Sequence, residues 1–337
     1  MKKKIKVAIS GLGNIGFQHF KRINMDSKLD VSSIFDVDEK IKKKLQKKNK
    51  VEKNFSDIFK SKIDCIVIAS PDQDHCYQVT TSLKNGVNVF SEKPLCNSLK
   101  ELTSIYNAWK NNKKLKIKTN LLLREAEIYK WLKKKIKKNY FGKIYSIDAE
   151  YLYGRKNKII NGWRRYSKNY SGIRGGGVHM IDIIIWLLEE LPVSVFTIGN
   201  KIAFKKYKLN FNDYNKSILR FKSGVVSQVN SNLSCVHKHH HTIKIFGSKK
   251  TFIYDDKGPR VYDSSKKSSH PKKIRKKTLP IKKTLLLDKY FKNFHSTKDN
   301  YFDRTEYHLN LVSVLNACVG SINKKKELKV KYICKTI

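Results

Sequence analysis

Three groups of residues in this chain have types and spacings that could do chemistry. In Gly11-Leu12-Gly13-Asn14-Ile15-Gly16, three glycines lie between an apolar segment and a helix-like one. The first glycine permits a tight turn, the second lets backbone approach a pyrophosphate, and the third lets helix and strand pack closely. Asn14 and Ile15 open that helix, whose N-terminus offers unpaired N–H groups and a positive dipole to phosphate. Asp36 stands twenty residues after the last glycine, where a carboxylate can bond the hydroxyls of an adenosine ribose. No arginine follows to take a 2′-phosphate, so the motif implies NAD, with NADP disfavoured. Lys93, within Glu92-Lys93-Pro94, ends another apolar run, at the strand edge where doubly wound sheets bind ligands. By residue type alone, in so lysine-rich a chain, a solvated lysine before a helix is the usual reading. His179 and Asp182 stand three apart, so a helix puts both on one face. An imidazole there can take and return a proton near neutrality, although a histidine before an apolar helix is more often structural.

Positioning these groups requires a particular framework. Lys4–Ser10 reads as a buried strand, Asn14–Met25 as a helix, Leu29–Phe35 as a strand and Glu39 to about Lys48 as a helix. Ile63–Ala69 is an almost continuous apolar run, as in a strand covered on both faces. Gln73–Lys84 and Ser98–Lys110 read as helices, and Val87–Phe90 and Leu115–Thr119 as strands. Alternating strands and helices imply a parallel, doubly wound α/β sheet over residues 1–120. Beyond that the rhythm changes. Glu125–Lys138 and Met180–Glu189 read as helices, and Lys143–Tyr153 alternates like a half-exposed strand. Segments 193–206, 216–222, 224–234, 241–247 and 250–254 follow as strands, and a helix lies near Tyr301–Ile322. Residues 121–337 are therefore expected to form an α+β domain on a large, mostly antiparallel open sheet. An apolar face of that sheet would drive assembly into a homodimer or homotetramer through strands between 193 and 254. Residues 263–283, rich in Lys, Ser and Pro, read as an exposed loop.

Composition narrows the function. A chain of 337 residues, 40% hydrophobic and 11% aromatic, can bury two cores. The net charge of +44 is mostly lysine scattered through every segment, whereas arginine, better suited to bidentate recognition, occurs only ten times. This distribution argues against a specific nucleic-acid partner, while the field favours anionic ligands. The six cysteines, at 65, 76, 96, 235, 318 and 334, form no CxxC pair and no metal-like spacing. Met1-Lys2-Lys3-Lys4 leads into a short apolar strand, not an export signal, and no 18-residue apolar stretch exists. A reduced, cytoplasmic setting is expected, with no membrane span and no metal. In His237-Lys238-His239-His240-His241, strand alternation would send 237, 239 and 241 to one face and 240 to the other. This reads as an exposed or subunit-facing strand.

Ala69-Ser70-Pro71-Asp72-Gln73-Asp74-His75 and Gly86-Val87-Asn88-Val89-Phe90-Ser91-Glu92-Lys93-Pro94-Leu95, together with the glycine motif, resemble the Gfo/Idh/MocA family of glucose–fructose oxidoreductase, inositol dehydrogenase and relatives. The resemblance spans the N-terminal domain and continues through Arg124, Gly142-Lys143-Ile144, the 175–186 segment and Phe246-Gly247-Ser248-Lys249. It implies an NAD-dependent dehydrogenase that moves a hydride between a sugar carbinol and nicotinamide, nucleotide sugars and acidic sugars included. Lys93 would polarise the reacting oxygen and Pro94 would follow a cis bond. Ser70, Pro71, His75, Glu92 and Lys93 itself would lie beside the cofactor, and His179 would be the general acid/base. An inositol-type polyol dehydrogenase and a non-catalytic dinucleotide-binding sensor are the alternatives. In the family, the region holding Tyr153, Arg155, Trp163 and Arg164 faces the substrate, with Asn120 and Arg124 as further candidates. The chain departs from the pattern at Gly175, where many relatives carry an aspartate, and Asp182 is expected to orient the base instead.

Overall fold

A computed structural model describes residues 3–167, 169–263, 270–278, 281–297 and 300–335. The chain divides into two compact units. The first comprises residues up to Leu122, residues 282–312 and the segment from Ile333; the second comprises 123–281 and 313–332. A single division at residue 120 is thus corrected, because two later segments belong with the glycine motif.

In the first unit, β1 (Ile5–Ser10), β2 (Leu29–Phe35), β3 (Cys65–Ile68), β4 (Asn88–Ser91) and β5 (Ile117–Thr119) form a parallel sheet in the order β2-β1-β3-β4-β5. The chain passes between them through α1 (Asn14–Asn24), α2 (Glu39–Leu45), α3 (His75–Lys84) and α4 (Leu99–Lys110). The β3 residues are fully buried, as the unbroken apolar run requires when both faces are covered. One face packs Ala8, Ile66 and Val89 with Val79, Leu102, Ile105 and Trp109 of α3 and α4, and with Leu309 and Val312. The other packs Val7, Ile9, Val67 and Phe90 with Ile23 of α1 and with Leu286, Leu287, Tyr290 and Phe291. The last four lie on or beside α8 (Leu285–Lys292), which Arg22 of α1 also ties through Asp288 at 2.6 Å. α2 stops at Leu45, short of the expected Lys48, and buries no residue.

The second unit holds α5 (Glu127–Lys137), β6 (Ile144–Leu152), α6 (Lys156–Ile160), α7 (Val178–Leu188), β7 (Pro192–Asn200), β8 (Tyr214–Phe221), β9 (Val226–Asn232), β10 (His240–Gly247), β11 (Lys250–Asp255), β12 (Gly258–Asp263) and β13 (Lys272–Lys273). α9 (Thr305–Lys324) passes from the first unit to the second and is followed by β14 (Leu328–Lys329). The nine strands order as β13-β12-β11-β10-β6-β9-β8-β7-β14, antiparallel except for β6 against β9. Parts of the 263–283 stretch lie outside the described residues, but Lys272–Lys273 extends the sheet edge. α7 is apolar on almost every side and buried nearly throughout, as an interior helix should be. The opposite sheet face is mixed, which corrects the expected apolar one. Phe196, Ile218, Gln228, Asp148, Lys244 and Ile253 stand in one cross-strand row. Beside it, Glu150 accepts hydrogen bonds from Asn230 and Thr242. Among the described residues no helix is long and apolar enough to cross a membrane.

Candidate functional site

The glycine turn has the shape its spacing requires. Gly11 sits at φ +85°, and a Cβ there would fall 2.4 Å from the Ser70 nitrogen. A Cβ on Gly16 would fall 1.8 Å from the Gly11 carbonyl oxygen, so both positions are closed by the fold itself. A Cβ on Gly13 would meet nothing within 4 Å. That open side lies at the N-cap of α1, beside the helix's unpaired N–H groups, where a pyrophosphate has room to approach. Asp36, nearly buried, accepts the Leu12 N–H at 2.5 Å and the Asp38 N–H at 2.8 Å. It therefore clamps the turn, and its remaining lone pairs are available to ribose hydroxyls. The Asn14 side chain accepts from Gln18 at 2.9 Å, and Ile15 is half-buried. These residues fit a dinucleotide.

At the C-terminal ends of β3 and β4 two loops are locked together. The Lys93–Pro94 bond is cis. His75, 1% exposed, sets Nδ1 2.7 Å from the Pro94 carbonyl and Nε2 3.0 Å from the Ser70 carbonyl. Both ring nitrogens thus face the protein's own backbone, and His75 ties the two loops together. Ser10 and Ser70 both donate to the buried Gln78 side chain, and the Pro71 carbonyl accepts from Asp74. Glu92, next to Lys93, accepts from the Asn120 amide at 2.6 Å and lies 3.2 Å from His19 Nε2. Burial acts most strongly on Glu92 and raises its pKa. The His19 and Asn120 bonds and the Lys93 charge together outweigh it, holding the carboxyl below its ordinary value. Asn120, expected at the substrate, holds Glu92 through its amide nitrogen, and its Oδ1 has no hydrogen-bond partner among the described residues. His19 was missed by sequence reasoning; the available signal was its place one helical turn after Gly16, on the buried face of α1.

In the second unit, a π-helical turn at Ile173–Gly177 leads directly into α7, which carries His179 and Asp182. Such turns recur at functional sites. Asp182 is 1% exposed and is gripped by the Arg124 guanidinium, with Nε 2.8 Å from Oδ2 and Nη2 on Oδ1. Arg124, expected at the substrate, and Asp182, expected to orient His179, thus form a buried two-pronged pair. The His179 ring lies against the Tyr151 ring at 6.2 Å and 27°, and 6.2 Å from His241. Tyr151 stacks in turn on Tyr153 at 5.7 Å and 10°. The missing acid at 175 has a steric explanation. A Cβ on Gly175 would fall 2.5 Å from the Tyr170 hydroxyl, and one on Gly176 would fall 2.2 Å from the Tyr151 ring. Trp163 meets Tyr170 edge-on, with Arg164 over both rings, and Arg155 lies over Tyr153.

The histidine run differs from its expected alternation, because β10 begins only at His240. His239 and His241 pack together at 4.9 Å beside Tyr151, whereas His237 turns to Asp256 at 2.8 Å and neighbours His240. His241 is buried, whereas His237, His239 and His240 are partly exposed and Lys238 is exposed. No group of three or more His, Cys, Asp or Glu among the described residues is arranged to hold a metal.

Residues 5–119 match the oxidoreductase family with an NAD-binding Rossmann fold named GFO_IDH_MocA, and residues 129–253 match its C-terminal domain. The chain belongs to the GFO/IDH/MocA family of oxidoreductases. Its relatives include 2,7-anhydro-N-acetylneuraminate hydratase of Escherichia coli, 25% identical over 203 residues, 59% of this chain. The chain spans only 54% of that protein's length. Myo-inositol 2-dehydrogenase of Thermotoga maritima is 23% identical over 75% of both chains. The fold matches that of scyllo-inositol dehydrogenase from Lactobacillus casei, solved with NAD(H) and scyllo-inositol, at TM-score 0.78 and 18% identity. That match covers 97% of this chain and 99% of the other.

Proposed function

We propose that this GFO/IDH/MocA oxidoreductase is an NAD-dependent dehydrogenase that oxidises a carbinol of a sugar or polyol. The observation that carries the reading is the glycine turn, closed at Gly11 and Gly16 and open at Gly13, with the Asp36 carboxylate behind it. When bound, NAD supplies the hydride acceptor. Gly11, Gly13, Asn14, Ile15 and Gly16 would hold its pyrophosphate and Asp36 its adenosine ribose, and a carboxylate at that place repels the extra phosphate of NADP.

The chain's own groups then divide the proton chemistry. Lys93 holds the substrate hydroxyl and stabilises the negative charge that develops on oxygen as hydride leaves. Glu92, held ionised, gives that lysine a counter-charge next door. His179 takes the hydroxyl proton and returns it in the reverse direction. Retention of both Lys93 and His179 favours an enzyme over a dinucleotide-binding sensor, which requires neither.

The test is NAD reduction across a panel of sugars, polyols and nucleotide sugars, with Lys93→Met and His179→Asn beside the wild type. Each variant should lose about a hundredfold to ten-thousandfold in turnover. NAD should still bind both, since neither residue belongs to the glycine turn, and His179→Asn should also lose the rise in rate near neutral pH. Normal turnover and pH dependence in His179→Asn would reassign the base.

A further inference from the structure

Lysine is spread through the whole chain, but arginine is not. Arg155, Arg164, Arg165 and Arg174, four of the ten, lie between Tyr151 and Ile181, a stretch without one Asp or Glu. Two of the four brace the local structure. Arg165 donates to the Ile160 carbonyl at 3.2 Å, and Arg174 to Asn316 Oδ1 at 2.7 Å and the Asn169 carbonyl at 3.4 Å. The other two lie on the aromatic layer around His179. Arg155 Cζ is 5.7 Å from the centre of Tyr153, which stacks on Tyr151, which lies against His179. Arg164 Cζ is 4.5 Å from Trp163 and 5.9 Å from Tyr170, whose hydroxyl covers Gly175, four residues before His179.

Burial, then Tyr170 and Tyr153, push the Tyr151 phenol well above its ordinary value, and the Arg164 and Arg155 charges oppose that rise. Both guanidiniums lie over rings of the aromatic layer that reaches His179. Among the described residues no carboxylate pairs with the exposed Arg155. A guanidinium presents parallel N–H donors that match a phosphate or carboxylate, while the flanking aromatic faces suit the apolar face of a sugar ring.

From this arrangement we infer that Arg155 and Arg164 form an anion subsite selecting a sugar that carries a phosphate or a carboxylate. The inference rests on the dehydrogenase reading above and names its substrate class. The test uses glucose 6-phosphate, glucuronate and glucose as matched probes. Binding is measured by calorimetry with NADH present, and turnover by NAD reduction. The proteins are wild type, Arg155→Gln, Arg164→Gln, the double Gln variant, a double Lys variant and Arg165→Gln.

At least one anionic probe should bind wild type about tenfold or more tightly than glucose, and the two anions distinguish phosphate from carboxylate. The double Gln variant should lose about ten- to a hundredfold on that probe and less than about twofold on glucose. The double Lys variant should recover part of the loss. Arg165→Gln, with the same change in net charge, should behave as wild type. The subsite is overturned if glucose binds as tightly as both anions, if neither anion binds at millimolar concentration, or if Arg165→Gln costs as much as the double variant. Selective anion binding without NAD reduction would leave the subsite standing and count against the dehydrogenase reading. NAD reduction without selectivity would do the reverse.

Discussion

Arg124 and Asp182 form a buried ion pair in which each charge answers for the other. An aspartate 1% exposed inside an otherwise apolar helix must be compensated, and the guanidinium fork does so. Arg124→Met should destabilise the protein by about 3–5 kcal/mol, because it strands a buried carboxylate. Arg124→Met combined with Asp182→Leu should recover most of that loss, as urea unfolding of the two variants would show. A double variant no better than the single would mean that the pair is not the source of the cost. Glu92 gives a pH-dependent counterpart. Its folded carboxyl lies below the ordinary value of 4.5, so its contribution is fully present above that pH and is lost as the pH falls through the folded value. Relative to wild type, Glu92→Gln should flatten the fall in stability just below pH 4.5 in acid titrations followed by circular dichroism. The sequence announced Lys93, His179 and the glycines because their motifs are local. It did not announce the partners of Asp182 or Glu92, since those lie 58 and 28 residues away in the chain.

At the scale of elements, most of the fold was legible because burial imposes period. The unbroken apolar run at β3 and the all-round apolar α7 could be read directly, and ends were misplaced both at a helix, α2, and at a strand, β7, which stops at Asn200 and not at 206. The π-helical turn before α7 was not legible, because glycines at 175, 176 and 177 are compatible with many backbones until Tyr170 and Tyr151 are seen to fill the space beside the first two. The β1–α1 junction separates two roles for glycine. Gly13→Ala adds a methyl into open space at φ −60°, so thermal unfolding should be nearly unchanged while NAD affinity falls. Gly16→Ala drives a methyl to 1.8 Å from a backbone carbonyl and should lower stability itself. Equal stability losses in the two variants would contradict the assignment of Gly13 to the ligand side.

For the whole molecule, the consequential finding is that the dinucleotide-binding unit is not continuous in sequence. Residues 282–312 return to it, and α8 supplies Leu286, Leu287, Tyr290 and Phe291 to one face of its sheet. No local pattern marks this, since an amphipathic helix does not say which distant sheet it will cover. A fragment ending at Leu122 should therefore expose Val7, Ile9, Val67 and Phe90, and should aggregate or bind hydrophobic dyes. A version in which residues 282–312 follow Leu122 through a flexible linker should be more soluble and bind NAD more tightly. Equal solubility of the two would deny α8 that covering role.

The same discontinuity sets a timetable for biosynthesis. The glycine turn leaves the ribosome well before α8, the helix that completes the cover of its sheet, which emerges more than 160 residues after β5, at roughly 5–20 residues per second. For that interval β1, β3 and β4 carry one apolar face that α1 covers only in part, while the strands of the second unit are still being made. The nascent chain therefore depends on whatever shields that face in the meantime, and a slow stretch of translation between β5 and α8 would lengthen its exposure.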